Sequence, residues 1–371
     1  MNKWTYTTLG KISEIITGPF GSQLHQSDYV EQGIPVVMPQ DIDNRKVNYA
    51  SINYVSNEDA IRLERYKTII NDILYARRGD VEKHAFIKEK DNGVLCGTGC
   101  LRVRITTSGV EPEFISFFLN REETRKWLVT HAVGTNMPNL NTDILSDVPI
   151  AYPLLEEQRR IVQVLNSLDE KIALNSAVND NLSAMAYDIY MHNFFSKKPN
   201  AKLKDILTES EKSAIQVGEA KTSNGEYPFF TSGATILKWN EPFVDGRNCF
   251  LNTGGNADVK FYVGKAAYST DTWSISAKSE MSDYLYLMLF SIKPELDQKF
   301  FQGTGLKHLQ KPLLKDRPIY VPEKLELEAF NRQVIPMFDI ISENTRENQQ
   351  LTSLRDWLLP MLMNGQATIS D

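Results

Sequence analysis

Cysteine and histidine are scarce in this sequence, and no apolar run is long enough to leave water. Cys96, Cys100 and Cys249 are its three cysteines, too few and too unevenly spaced for a disulfide framework. The Cys96/Cys100 pair has neither a second such pair nor a nearby histidine to complete a zinc site. They read as reduced, partly buried thiols. No stretch approaches the roughly 18 apolar residues that a membrane span needs, and the opening residues lack the apolar centre of a secretion signal, so a cytoplasmic protein is expected. The signatures of catalysis are missing as well. There is no Asn/Asp-Pro-Pro-aromatic loop to hold a flipped adenine and no phosphate-loop string. Gly97-Thr-Gly99 and Gly303-Thr-Gly305 lack the third glycine of a dinucleotide fingerprint, since Arg102 and His308 stand in its place. The five histidines are scattered without ligand spacing, and Asp80-Val-Glu82 with Lys83 is a faint echo of a nuclease cluster. No catalysis is expected of this chain, and no metal site.

Net charge is −6 over 371 residues, which looks wrong for a partner of nucleic acid until it is divided along the chain. Residues 151–195 carry 3 Lys/Arg against 6 Asp/Glu, and residues 321–371 carry 4 against 8. The remaining segments are close to neutral, with 17 against 19 in residues 1–150 and 17 against 14 in residues 196–320. The sign of the whole therefore neither supports nor excludes a polyanionic partner.

The most informative feature is a duplication, which decides architecture before any motif does. A shift of 169 residues lays 134–190 on 303–359 without a gap. Gly134-Thr135 falls on Gly303-Thr304, Leu140 on Leu309, Asp147 on Asp316, Pro149-Ile150 on Pro318-Ile319, and Asn175 and Asn179 on Asn344 and Asn348. With small shifts, Ile34-Pro-Val-Val37 answers Tyr227-Pro-Phe-Phe230, and the segment 113–119 answers 283–289. Between these landmarks the copies diverge, as expected of two modules that share a frame and carry different inserts.

Each copy ends in a heptad seam. In the first it runs Ile161, Leu165, Leu168, Ile172, Asn175, Asn179, Leu182, Ala186 and Ile189; in the second, Phe330, Val334, Met337, Ile341, Asn344, Asn348, Leu351, Arg355 and Leu358. Pro336 is expected to distort the early turns of the second. A helix of about 40 residues spans about 60 Å at ~1.5 Å per residue, the length of a spacer. Two asparagines in each seam weaken it but fix register and partner, because a slipped pairing leaves an amide unsatisfied. An antiparallel pairing sets Asn175 against Asn348 and Asn179 against Asn344, whereas a parallel one would set Asn175 against Asn344. The reading is an α+β protein: globular domains at 1–150 and 196–320, joined by spacer helices at 151–195 and 321–371 that form an antiparallel coiled coil about a pseudo-twofold axis.

The globular halves have short β-rich runs broken by Gly, Asn, Asp and Pro, with turns that combine flexible backbone with hydrogen-bonding side chains. Such loops suit DNA, where backbone N–H groups and Lys/Arg meet phosphates while Arg, Lys, Asn and Gln reach base edges. The candidates are Ser22, Gln23, Arg77, Arg78, Lys83, Asn136 and Asn139 in the first copy, and Asn252, Asn256, Lys260, Lys307 and His308 in the second. In Leu9-Gly-Lys-Ile-Ser-Glu-Ile15, Gly18-Pro-Phe-Gly-Ser-Gln-Leu24 and Gly33-Ile-Pro-Val-Val37, followed by Pro149-Ile-Ala-Tyr-Pro-Leu-Leu-Glu-Glu-Gln-Arg-Arg-Ile161, the chain resembles the specificity subunit of type I restriction-modification enzymes. The second spacer departs from that pattern, with Leu325-Glu-Leu-Glu-Ala-Phe330 in place of Glu-Glu-Gln-Arg-Arg-Ile. The resemblance implies a non-catalytic subunit whose two target recognition domains each contact one half of an asymmetric double-stranded DNA site. It further implies two methyltransferase subunits and restriction/helicase subunits as partners, with S-adenosylmethionine, ATP and Mg²⁺ bound by those partners. The rival readings are a coiled-coil scaffold that joins proteins without touching DNA, and a nuclease with an unrecognised site.

Overall fold

A computed structural model describes residues 4–134 and 137–369. The chain divides into two compact units: Met1–Asp169 with Ser353–Asp371, and Glu170–Thr352.

Unit 1 opens with strands β1 (Thr5–Thr8) and β2 (Ser13–Thr17), then β3 (Ile34–Val37), β4 (Ile73–Ala76), β5 (His84–Phe86), β6 (Leu95–Cys96) and β7 (Cys100–Ile105). An antiparallel sheet runs in the order β2-β7-β4-β5, while β3 and β6 pair in parallel within a second sheet. Every residue of β4 is buried because the sheet is covered on both faces. The two-residue period of a strand sends Ile73 and Tyr75 into one core and Leu74 and Ala76 into another. Helix α1 (Pro112–Leu119) starts on a proline, whose fixed φ suits the first helical position. Strand β8 (Pro149–Tyr152) closes the unit by pairing antiparallel with β1, and leads directly into helix α2 (Leu155–Phe194).

Unit 2 repeats this order with β9 (Ala201–Lys202), β10 (Leu207–Glu209), β11 (Tyr227–Phe230), β12 (Arg247–Asn252), β13 (Val259–Val263), β14 (Ala267–Tyr268) and β15 (Thr272–Ala277), then helix α3 (Ser282–Ser291), β16 (Pro318–Ile319) and helix α4 (Lys324–Met363). Its antiparallel sheet is ordered β10-β15-β12-β13, β11 pairs in parallel with β14, and β9 closes on β16. The duplication in the sequence is therefore a duplication of topology in the four-stranded antiparallel sheet, the parallel pair and the closing pair, while the second sheet has four strands in unit 1 and three in unit 2. Alternate residues of the central strand again serve two cores: Cys249 and Leu251 in one, Phe250 in the other.

Helices α2 and α4 are each 40 residues long. All eighteen seam positions named above are buried or half-buried. Within unit 2 the two helices run antiparallel: Asn175 Nδ2 donates to Asn348 Oδ1 (3.0 Å) and to Glu347 (2.6 Å), and Asn344 Nδ2 donates to Asn179 Oδ1 (2.8 Å). In unit 1 the same arrangement sets Arg355 against Asp169 at 2.9 Å. The distortion expected at Pro336 does not interrupt α4, which stays helical through Pro336 and Pro360. Pro336 lies on the exposed side of the helix, where its ring and the bond its missing N–H forgoes disturb no packing.

Candidate nucleic-acid interface

In unit 1 the turn that follows β4 is joined to the Gly134 loop. Leu140 N–H donates to the Arg77 carbonyl (2.9 Å) and Gly79 N–H to the Pro138 carbonyl (3.2 Å), so that Arg78 lies opposite Asn139. The far side of the same turn is fixed by Arg77 N–H on the Gly99 carbonyl (2.8 Å). The Arg77 guanidinium stands 5.9 Å from the ring of Phe20, an exposed aromatic in the Gly18–Leu24 loop. Arg77 Nε and Asn139 Oδ1 are buried and, among the described residues, have no hydrogen-bond partner. Arg78 and Ser22 are exposed. Gln23 is exposed as a residue, but its Oε1 accepts from Phe20 N–H (3.2 Å) and the Tyr66 hydroxyl (2.9 Å) and so shapes its loop. Lys83 forms an exposed ion pair with Asp80 at 2.8 Å. Asn136 lies outside the described residues.

The equivalent loops of unit 2 are joined in the same way. Gly255 N–H donates to the Lys307 carbonyl (3.0 Å) and Leu309 N–H to the Thr253 carbonyl (3.0 Å), setting Gly254 opposite His308. Asn256 and His308 are exposed. Asn252, by contrast, is buried and fully engaged: its amide donates to the carbonyls of Gly254 (2.9 Å) and Asn256 and accepts from Asp258 N–H (2.7 Å). It builds the loop from within, with both amide hydrogens and the amide oxygen bonded to the loop's own backbone. Lys260 donates to the Thr231 carbonyl (2.8 Å) and lies 3.3 Å from Asp258. Lys307 pairs with Asp297 at 2.8 Å, and its half-exposed pair is weak enough to exchange for a phosphate.

Beneath these loops each unit holds an arginine that residue patterns did not single out. In unit 1, Arg45 lies 3.4 Å from the Phe117 ring centroid, donates to Ser116 Oγ (3.0 Å), and bridges Glu113 (3.6 Å) on α1 to Asp169 (3.5 Å) on α2. In unit 2, Arg247 grips the fully buried Asp283 of α3 with two bonds (2.6 and 2.7 Å) and reaches Asp339 (2.6 Å) and the Ile335 carbonyl (3.1 Å) on α4. Glu113 and Asp283 are equivalent in the repeat; the two arginines come from unrelated places in the chain. Each clamps its recognition sheet to its own stretch of long helix. Near Arg45, burial and the Arg45 charge push the His84 imidazole down to about 3, so it is neutral, with Nε2 against Ser116. Burial likewise pushes the Cys96 thiol up to about 12, which keeps it protonated and inert.

A family model for the "Type I restriction modification DNA specificity domain" matches residues 1–184 and 197–352, one copy in each half of the chain. The chain belongs to this family of DNA specificity subunits. The family match supports neither a DNA-free scaffold nor an unrecognised nuclease. This specificity chain is 21% identical to the type I restriction enzyme MjaIX specificity subunit of Methanocaldococcus jannaschii, over 99% of its own length and 94% of the relative's. It is also 21% identical to the HindI specificity subunit of Haemophilus influenzae, over 99% and 100%. Its fold is similar to that of the type I restriction-modification S subunit from M. genitalium, with a TM-score of 0.66 at 15% identity, covering 100% of this chain and 97% of that one.

Two features of the interface went unread in the sequence of this specificity chain. The clamp arginines left no signal, because nothing in their spacing relates 45 to 247. Met137 and Leu306, exposed beside the candidate loops, were in plain sight: the 169-residue shift lays one on the other.

Proposed function

We propose that the chain reads a bipartite, asymmetric double-stranded DNA target, one half with each unit, and performs no chemistry itself. The observation that carries this reading is the recurrence, at the same edge of two topologically equivalent sheets, of a paired-loop platform with unlike polar side chains. A shared frame with different readers is what two different half-sites require. In unit 1 the proposed contacts are Arg77, Arg78, Lys83, Asn139 and Ser22, with Gln23 holding its loop in shape. In unit 2 they are Asn256, Lys260, Lys307 and His308, with Asn252 supporting the loop. Arginine and lysine serve phosphates or guanine edges, and Asn139 suits adenine. On this reading two methyltransferase subunits and restriction/helicase subunits assemble on the chain in the cytoplasm. S-adenosylmethionine, ATP and Mg²⁺ act in those subunits.

Replacing residues 1–150 with the corresponding segment of another family member tests this. Methylome sequencing of cells carrying the hybrid should show one half of the target changed and the other retained. A hybrid that alters both halves, or methylates the original site unchanged, would refute the assignment of one half to each unit.

A further inference from the structure

Single apolar side chains on a protein surface ordinarily need no explanation. Met137 and Leu306 do, because they recur. They are 63% and 64% exposed and occupy the same position in the repeat, 169 residues apart, in loops that share Gly134-Thr135 with Gly303-Thr304 but differ at 136/305, 138/307 and 139/308. The backbone around them is constrained alike. Gly134 (φ +110°) and Gly303 (φ +152°) sit so close to the apolar residue three positions on that a Cβ would lie 2.8 Å from the Met137 carbonyl oxygen in one unit and 2.5 Å from that of Leu306 in the other. A side chain at either glycine would strain the backbone and force this turn to shift. Each turn thus holds an apolar side chain out into solvent, and the bonds to the neighbouring loop described above brace it from behind.

What surrounds the two tips identifies their partner. Arg78 stands opposite Asn139 just beyond Met137, and Lys307 and His308 directly follow Leu306. A docking patch for another protein would spread its apolar character to adjacent positions in both copies. It does not, since exposed Val133 beside the first tip is matched by Gln302 beside the second. An apolar point beside a cation, recurring in both units, is the equipment of a side chain that enters between stacked bases while its neighbour holds a phosphate.

We propose that Met137 and Leu306 are wedges, each of which enters one base step of its own half-site and partly unstacks it. This rests on the DNA-reading function proposed above and adds to it a distortion of the target. Specificity at that step then comes from how readily the sequence unstacks, with no hydrogen bond to a base required.

The test uses the chain in complex with its methyltransferase subunits and its cognate duplex, with 2-aminopurine placed at successive positions of each half-site. Fluorescence should rise several-fold at one step in each half. Met137→Ala should abolish the rise in one half only, Leu306→Ala in the other only, each weakening binding on the order of tenfold. Met137→Leu and Leu306→Met, which keep an apolar point of similar size, should retain both signals. Sequence-specific binding without a bright step, or a bright step indifferent to both alanine substitutions, overturns the wedges and leaves the DNA-reading function standing. So does loss of methyltransferase subunits from the purified complex on substitution, which would make the tips protein contacts. A complex with no preference for its duplex overturns both readings.

Discussion

Replacing Arg247 by alanine isolates the clamp of unit 2. The substitution removes two bonds to Asp283, one to Asp339 and one to the Ile335 carbonyl, and strands a carboxylate whose side chain is wholly buried. Truncating one partner of a buried ion pair costs about 3–5 kcal/mol. Two effects favour the lower end, about 3 kcal/mol: the Arg247 side chain is itself partly exposed, and Asp283 lies in the first turn of α3, where the helix dipole favours an anion. Burial already raises the Asp283 carboxyl above its ordinary value against the pull of Arg247, and losing the arginine raises it further. A carboxyl that titrates higher in the folded state than in the unfolded one binds more protons when folded, so the deficit of the variant should shrink as pH falls from 7 towards 5. Hydrogen exchange of peptides from β12 and α3, read at several urea concentrations, reports unit 2 separately from unit 1. Arg247→Met combined with Asp283→Leu removes both charges and should recover most of the loss. A deficit below about 1 kcal/mol, one that does not change with pH, or a double variant as damaged as the single would refute the clamp.

Two further perturbations follow from buried groups. His84 titrates at about 3 when folded, against 6.5 for the ordinary imidazole, so the unfolded chain takes up the extra proton. Unit 1 should therefore lose stability as pH falls from 6.5 towards 3, by at most about 1.4 kcal/mol per pH unit from this group. His84→Phe should flatten that slope in acid unfolding curves, and parallel curves would count against the assignment. In the seam, Asn175→Ala leaves Asn348 Oδ1 without its donor and Glu347 with Lys171 as its remaining partner, and should destabilise by about 1–3 kcal/mol. The pair Asn175→Leu with Asn348→Leu should instead match or exceed the parent in urea midpoint, and a double variant weaker than the single would show that the amides stabilise the seam rather than specify it.

Much of this was legible in the residues, and the boundary of legibility has a physical reason. The duplication was readable because both copies need the same apolar positions for the same sheets, and Pro149-Ile150 against Pro318-Ile319 records the closing strand of each. The seam was readable because a heptad repeats. The loop-building bonds of Asn252 were not legible because an asparagine among glycines suits a loop that meets a ligand as well as one folded on its own amide, and only the backbone path shows the second. The clamps were invisible because the shared requirement is for a guanidinium at a point in space, which Arg45 reaches from a turn with φ +62° and Arg247 from the start of a strand.

Unit 1 is built from two stretches of chain, and its core includes Leu359, Leu362 and Met363 from the end of α4. Unit 2 is one unbroken stretch lying between them in sequence. During translation, then, the domain begun first is completed last: its strands emerge early, but three of its buried side chains arrive after all of residues 170–352 have been made. Until then the newborn first domain carries an open apolar site, while the second domain has every residue that it needs to fold. A ribosome that stalls or a frame that shifts late in the message would release a polypeptide with a finished second reader and a defective first one.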